Sequence, residues 1–425
     1  MTLLPHQAAA QQAPAPLPAD QKGCLSPPVG SENGVPWAQQ RLALDRLRSL
    51  TRGAGVIIGV VDTGVDAKTP QLSGRVLRGL DVAAPAALPS AEPAAKTGAR
   101  TADDDCFGHG TFVAGIIGAS VRTDTGFSGI APEAKILPIR CAIVTQDGSP
   151  PILTAVQMAD GIRAAVDGGA RVINISASTS APDPELAKAV RYAAERDVVV
   201  VASAANSAQQ GDPATYPASL PSVIAVGAID ITGKKADFSQ TGDFLSLVAP
   251  GVGVTSVGPR GAGHWLGSGT SYAAPFVTGV AALVRAYHPN LSAEQVKRRL
   301  ELTADHPAAT LPDPGFGWGT VNAVAAVTAV LPEESGAVGS VVSAEPAPLP
   351  SAKEAAGNGD VVALVAAISV PVLGALALLV AGLLRGARTR RWTPARVIEF
   401  AGAPGQKVSM NGRLQDESLG MERRL

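Results

Sequence analysis

Short runs of aliphatic, mostly β-branched residues recur along this chain, and they limit its fold more than any other feature. They are VIIGVV at 56–61, RVINIS at 171–176, VVVVAS at 198–203, SVIAVGAI at 222–229 and LSLVAP at 245–250. Continuous apolar runs of this length fit strands buried on both faces. Segments of helical character lie between them. TAVQMADGIRAAVDGG at 154–169 places Val156, Met158, Ile162 and Val166 near helical spacing. DPELAKAVRYAAERD at 183–197 offers Asp183 as N-cap and Pro184 at the first helical position. Strands alternating with helices predict an α/β fold, a mostly parallel twisted sheet with helices on both faces. Chemistry in such sheets collects at the carboxyl ends of the strands. Asp62 and Asn206 both fall just past such ends.

The glycine-rich approach LGSGT at 266–270 leads into SYAAPFVTGVAALVRAYH at 271–288. That run predicts a helix to about Tyr287, with Pro275 at or just beyond the first turn, where a missing N–H matters least. LSAEQV at 291–296 is a capping box, Ser292 with Gln295, flanked by a Leu291/Val296 staple. GFGWGTVNAVAAV, from Gly315, closes the globular part, which spans 35–331 and is long enough for one large core.

Residues 1–34 form a Pro-rich N-terminal extension of low complexity, expected to be extended or disordered. Residues 332–360 form a Pro/Gly/Ser linker with acidic residues at Glu333, Glu334, Glu345, Glu354 and Asp360. Residues 361–384, VVALVAAISVPVLGALALLVAGLL, carry no charge and are long enough for a transmembrane helix. Arg385, Arg388, Arg390 and Arg391 follow, so the positive-inside rule puts the 385–425 tail in the cytoplasm and the globular domain outside. Export of that domain calls for a signal peptide. The first residues have neither a basic start nor an apolar core, so the signal is expected upstream of Met1. The formal net charge of −1 leaves no electrostatic footprint for nucleic acid. Cys24, Cys106 and Cys141 match no metal spacing, and in an oxidising compartment one disulfide is expected. Joining Cys106 to Cys141, or to Cys24, remains open on spacing alone.

A serine at a helix opening, reached through glycines, suits a nucleophile, and Ser271 holds that place. Its hydroxyl needs a base. Of five histidines, His109 sits in the glycine-framed loop DDDCFGHGTFVAGIIG at 103–118, while His264 is the rival, seven residues before Ser271. The base needs an acid to hold its tautomer, and Asp62, ending a buried run, is the candidate. Asp66 and Asp103 to Asp105 read as solvated loop charges. Asn206, leaving VVVVAS for a small-residue loop, is placed to donate to an oxyanion, with the Ser271 N–H as second donor. Asp62-Thr63-Gly64, after two valines, also matches the aspartic-protease signature, but that chemistry needs two such carboxylates and VVDTG occurs once in the chain.

VVDTGV, GHGTFVAGIIG, the ASAANS loop and GTSYAAPFVTG, in that order, resemble the subtilisin-like serine proteases. The resemblance implies that Asp62 orients the base, His109 is base then acid, Ser271 attacks and Asn206 steadies the oxyanion. It implies that substrate binds as an added strand along Ser176, Ala177 and Ser178. NISAST departs there from the family's SLG, and Ala205 stands where the family has glycine. The Pro-rich extension with Cys24, a cysteine near His109, the linker and the single span are similar to mycosins, membrane-anchored subtilases of type VII secretion. That likeness implies a cell-membrane endopeptidase, its catalytic domain extracytoplasmic, partnered with the secretion membrane complex and acting on exported proteins. The alternative is a mainly structural subunit of that complex. It also implies an extension that wraps the domain, and it favours Cys24–Cys106 as the disulfide. The tail of about forty residues is longer than the resemblance implies. No loop has calcium-ligand spacing, so neither metal nor other cofactor is expected.

Overall fold

The computed structural model describes residues 12–18, 21, 23–83, 101–142 and 153–334. Strand β1 (Ala15–Pro16) belongs to a small side sheet. The main sheet holds β2 (Ile57–Asp62), β3 (Leu80–Asp81), β4 (Lys135–Arg140), β5 (Val172–Ile175), β6 (Val199–Ser203), β7 (Val223–Ile229) and β8 (Leu247–Pro250). Its order is β3-β4-β2-β5-β6-β7-β8, every pair parallel. Strands β9 (Val254–Val257) and β10 (His264–Gly267) pair antiparallel, and β1 adds to β10 in parallel. The expected mostly parallel α/β sheet is therefore present.

Two cores flank the sheet because side chains alternate along each strand. Ile58 and Val60 face one core and Val61 the other; Val199 and Val201 face the first, Val200 and Ala202 the second. The first core is roofed by α2 (His109–Gly118) and α5 (Thr270–Tyr287), which follow the short α1 (Trp37–Arg41). The second is covered by α3 (Ala155–Asp167) and α4 (Pro184–Glu195). Helix α5 runs beneath β5, β6, β7 and β8 and is almost wholly buried. Helices α6 (Ala293–Leu302) and α7 (Ala323–Thr328) close the described part.

Local signals explain the helix starts. Thr154 caps α3 in a box with Gln157, and Ser292 does the same for α6 with Gln295. The Asp183 carboxylate accepts from Glu185 N and Leu186 N above Pro184. Val156, read as part of the apolar face of α3, points outward at 51% exposure. Strand β4 escaped the sequence reading because Pro138 interrupts KILPIR. Ile136 N donates to Arg75 O on the β3 side, at 3.0 Å. Two residues on, Pro138 turns its donor-less nitrogen to that same side, near the sheet edge, where proline is tolerated.

The N-terminal extension lies on the domain. Leu17 N donates to Leu266 O, Leu25 N to Cys106 O and His264 N to Gly30 O. A disulfide joins Cys24 to Cys106, and Cys141 is buried and free. The expected span at 361–384 and the tail at 385–425 lie outside the described residues. So does the linker from residue 335. Among the described residues no helix is long and apolar enough to cross a membrane.

Candidate active site

Parallel register brings three strand ends into a row. Asp62 ends β2; its neighbour Val61 pairs with Ile175, the residue before Ser176, and Ile175 pairs with Ala202 of β6, whose exit leads to Asn206. Helices α2 and α5 begin at this same edge, with His109 first in α2 and Ser271 second in α5.

Asp62 is 5% exposed. Its Oδ1 accepts from Thr63 N at 2.8 Å and lies 2.8 Å from His109 Nδ1, and its Oδ2 lies 3.0 Å from the same nitrogen. Buried carboxylates require such partners. Gly108, with φ of 92°, turns the chain into α2 in the left-handed region. It brings no capping side chain. Asp105 serves instead. Its Oδ1 accepts from Gly108 N at 2.8 Å and Thr63 Oγ1 at 3.0 Å. Its Oδ2 accepts from Thr111 N at 2.9 Å and Thr111 Oγ1 at 2.7 Å. Thr63 Oγ1 in turn accepts from Gly110 N at 3.0 Å. Asp105 thus ties the loop after Asp62 to the helix that starts at His109.

The electrostatics follow from this geometry. Burial draws the His109 pKa down, but the Asp62 charge and hydrogen bond, aided by the Asp105 charge, outweigh it and leave it raised. Burial raises the Asp105 pKa, the hydrogen bonds from Gly108 and Thr111 oppose that, and the Asp62 charge adds to it. Asp105 is 4% exposed and Asp66 is 5% exposed. Both had read as solvated loop charges. Asp66 is engaged by Lys68 N, Thr69 Oγ1 and Arg260 N. Sequence spacing carried no signal of this, because burial here depends on which loops dock together.

Ser271 and Asn206 converge. A Cβ built on Gly269 would lie 3.1 Å from Ser271 Oγ and 3.4 Å from Asn206 Nδ2. Asn206 Oδ1 accepts from Thr270 N at 2.9 Å and Thr270 Oγ1 at 3.0 Å, which leaves Nδ2 as the end facing the cleft. The Ser271 N–H sits in the first turn of α5, where N–H groups have no helical acceptor. The Tyr272 ring, next in the chain, stands 5.2 Å from the His109 ring, centroid to centroid. Ser176, Ala177 and Ser178 follow β5 into the same edge. The Ser176 hydroxyl donates to Ser271 O at 2.7 Å.

The rival His264 belongs elsewhere. Its Nε2 lies 2.8 Å from Gln71 Oε1, and its Nδ1 accepts from Glu32 N at 3.0 Å. Burial pushes its pKa down to about 4. Cys141 lies behind the site, its thiol 3.7 Å from Asp62 O and its pKa raised by burial. Among the described residues no three His, Cys, Asp or Glu side chains group to hold a metal ion.

Residues 53–319 match the subtilase family, peptidase S8. The chain belongs to the subtilase family. This subtilase is a serine endopeptidase by family. It is 34% identical to mycosin-3 of Mycobacterium tuberculosis (strain ATCC 25618 / H37Rv), over 84% of this chain and 87% of that protein. It is 36% identical to subtilisin DY of Bacillus licheniformis, over 69% of this chain and 98% of that one. Among solved structures it resembles the MycP3 protease from the type VII (ESX-3) secretion system. That match has 32% identity and a TM-score of 0.60, covering 78% of this chain and 99% of that one. MycP1 from Mycobacterium smegmatis superposes with a TM-score of 0.61 at 28% identity, over 76% and 93% of the two chains. The subtilase is thus related to the mycosins.

Proposed function

We propose that this subtilase cleaves exported proteins through Asp62, His109 and Ser271, outside the cytoplasmic membrane and in company with a type VII secretion complex. The observation that carries the chemistry is the Asp62 carboxylate on His109 Nδ1 at 2.8 Å. That bond assigns the Nδ1 proton and leaves Nε2 to take the Ser271 proton as Oγ attacks the scissile carbonyl. The imidazolium so formed faces Asp62 and then protonates the leaving amine. Negative charge growing on the carbonyl oxygen is met by Asn206 Nδ2 and the Ser271 N–H, a contribution on the order of 2.7–4 kcal/mol per donor. Substrate lies along Ser176, Ala177 and Ser178 through backbone pairing. The extracytoplasmic location rests on the uncharged run 361–384 and the arginines from Arg385 onward. The secretion partnership rests on the relation to the mycosins.

Ser271→Ala tests both parts. Peptide cleavage by the purified protein should fall on the order of a million-fold. Retained cleavage overturns the nucleophile. In the native cell, loss of substrate clipping with secretion intact, both in Ser271→Ala and on deleting the chain, assigns the role to proteolysis. Loss of secretion on deleting the chain, restored by the Ser271→Ala protein, assigns it to structural support of the complex. Protease added to intact spheroplasts should digest 35–331 and spare the tail beyond 385; the reverse pattern overturns the topology.

A further inference from the structure

Helix α5 carries Ser271 at its second position and Pro275 at its sixth. The proline thus lies just beyond the first turn, as the sequence suggested, but past the four opening N–H groups that have no helical partner, so its missing N–H does matter. The carbonyl of Ser271 would ordinarily accept from the N–H of residue 275, four positions on, and proline has none. The ring also crowds that carbonyl. The peptide next to the reacting hydroxyl thus lacks its ordinary helical partner, in a site where a polar group left unsatisfied costs about 1–3 kcal/mol.

The sheet supplies the missing donor. Ser176 Oγ donates to Ser271 O at 2.7 Å. Asn174 Nδ2 donates to Ser176 Oγ at 2.9 Å, and Thr278 Oγ1 donates to Asn174 Oδ1 at 2.9 Å. Asn174 and Thr278 are fully buried. Every donor in this chain points the same way, from Thr278 to Ser271, so each bond polarises the next. The chain starts and ends on α5, two turns apart, and its middle members are two residues apart, Asn174 on β5 and Ser176 just past its end. The strand grips the helix at both ends of a two-turn span.

We propose that Ser176, backed by Asn174 and Thr278, is a positioning residue for Ser271, replacing the N–H that Pro275 lacks and fixing the first turn of α5. The proposal rests on Ser271 being the nucleophile. It gives the hydroxyl at 176 a role at a place where family likeness points only to backbone pairing with substrate. A misplacement of about 1 Å at a reacting group lowers rate by about 100-fold. Fixing this peptide therefore acts on the chemical step and not on substrate affinity.

The test compares Ser176→Ala, Ser176→Thr, Pro275→Ala and the Ser176→Ala/Pro275→Ala pair in the full chain. The readouts are kcat and KM on a peptide substrate and the rate of labelling by a fluorophosphonate. Ser176→Ala should lower kcat and the labelling rate about 10- to 100-fold with KM little changed. Ser176→Thr, which keeps the hydroxyl, should recover most of the loss. Pro275→Ala restores the helical N–H, so adding Ser176→Ala to it should cost much less than in the parent. Equal losses in both backgrounds, a loss confined to KM, or a parental kcat in Ser176→Ala overturns the proposal. Should Ser176→Ala fail to fold, Thr278→Val carries the test: a smaller fall in kcat at constant KM supports the chain, and a parental kcat overturns it. Labelling of Ser271 in the parent separates the two readings. If Ser271 is labelled and Ser176→Ala behaves as the parent, only the positioning role falls; if Ser271 is never labelled, the nucleophile reading falls.

Discussion

Asp62 and His109 are 47 positions apart in the chain, yet Oδ1 of the one lies 2.8 Å from Nδ1 of the other. Strand β2 ends at the first and helix α2 begins at the second, and Thr63 and Asp105 lace the two segments together. Asp62→Asn should keep this geometry while favouring the wrong tautomer. We expect kcat to fall by about 10,000-fold with KM nearly constant, measured on a peptide substrate at pH 7. A fall of less than about 10-fold contradicts the orienting role.

The pH dependence has a definite sign. The His109 pKa is raised above its ordinary value of about 6.5. Activity needs the neutral imidazole, so kcat/KM should rise as pH rises through a value above 6.5. The imidazolium is what the pair favours. Its contribution to stability is therefore full below about pH 6.5 and lost as pH climbs through the raised pKa. Asp105→Asn removes one of the charges that raise it, so the acid limb should move to lower pH. It also leaves Gly108 N or Thr111 N short of an acceptor, lowering stability by about 1–3 kcal/mol. Thermal unfolding and a pH profile together check both effects; an unmoved acid limb refutes the electrostatic one.

Ala205 adopts φ of 80°, the left-handed region that disfavours a Cβ by about 1–2 kcal/mol. Ala205→Gly relieves that strain and returns part of the gain as unfolded-state entropy. A net stabilisation of about 0.5–1 kcal/mol is expected from denaturant unfolding. A destabilised variant shows that the Ala205 methyl is held by favourable packing.

His264 clasps the N-terminal extension by accepting from Glu32 N. Its pKa of about 4 lies below the ordinary value, so the unfolded chain binds the proton more readily. Stability from this clasp is full above about pH 6.5 and is lost as pH falls towards 4. Hydrogen exchange should show 24–34 opening on acidification before the central sheet does. Simultaneous opening of both contradicts a local clasp.

The Cys24–Cys106 disulfide closes a separation of 82 residues. In the chain-entropy treatment a loop of that size stabilises by about 4.5 kcal/mol. Cys24→Ser should lower the unfolding free energy by up to that amount. An unchanged midpoint under non-reducing conditions refutes a stabilising bond.

Much of this protein is legible from local pattern. The β-branched runs at 56–61, 198–203 and 222–229 became β2, β6 and β7 because a strand buried on both faces needs only its own side chains to be recognised. Asp183, Thr154 and Ser292 cap their helices because capping acts within three residues. Asp62, His109, Asn206 and Ser271 stood out for a similar reason: each sits where a strand ends or a helix opens, and such places are marked by adjacent glycines and small residues. Tertiary structure decided the rest. Asp105 and Asp66 have the composition of solvated loops, and only docking of the Asp62 loop against α2, or of Arg260 against Asp66, buries them. Pro138 hid β4 because the sheet side its nitrogen would face cannot be read from the strand itself. Ser176, expected along the substrate, also places its hydroxyl on Ser271 O, 95 positions away, a contact that no local pattern reveals. The sequence by itself determined which groups are candidates for the chemistry, since their neighbours in the chain set their local conformation. The packing of helix α5 on strand β5 decided what holds them, since a hydrogen bond across two elements depends on where both backbones lie.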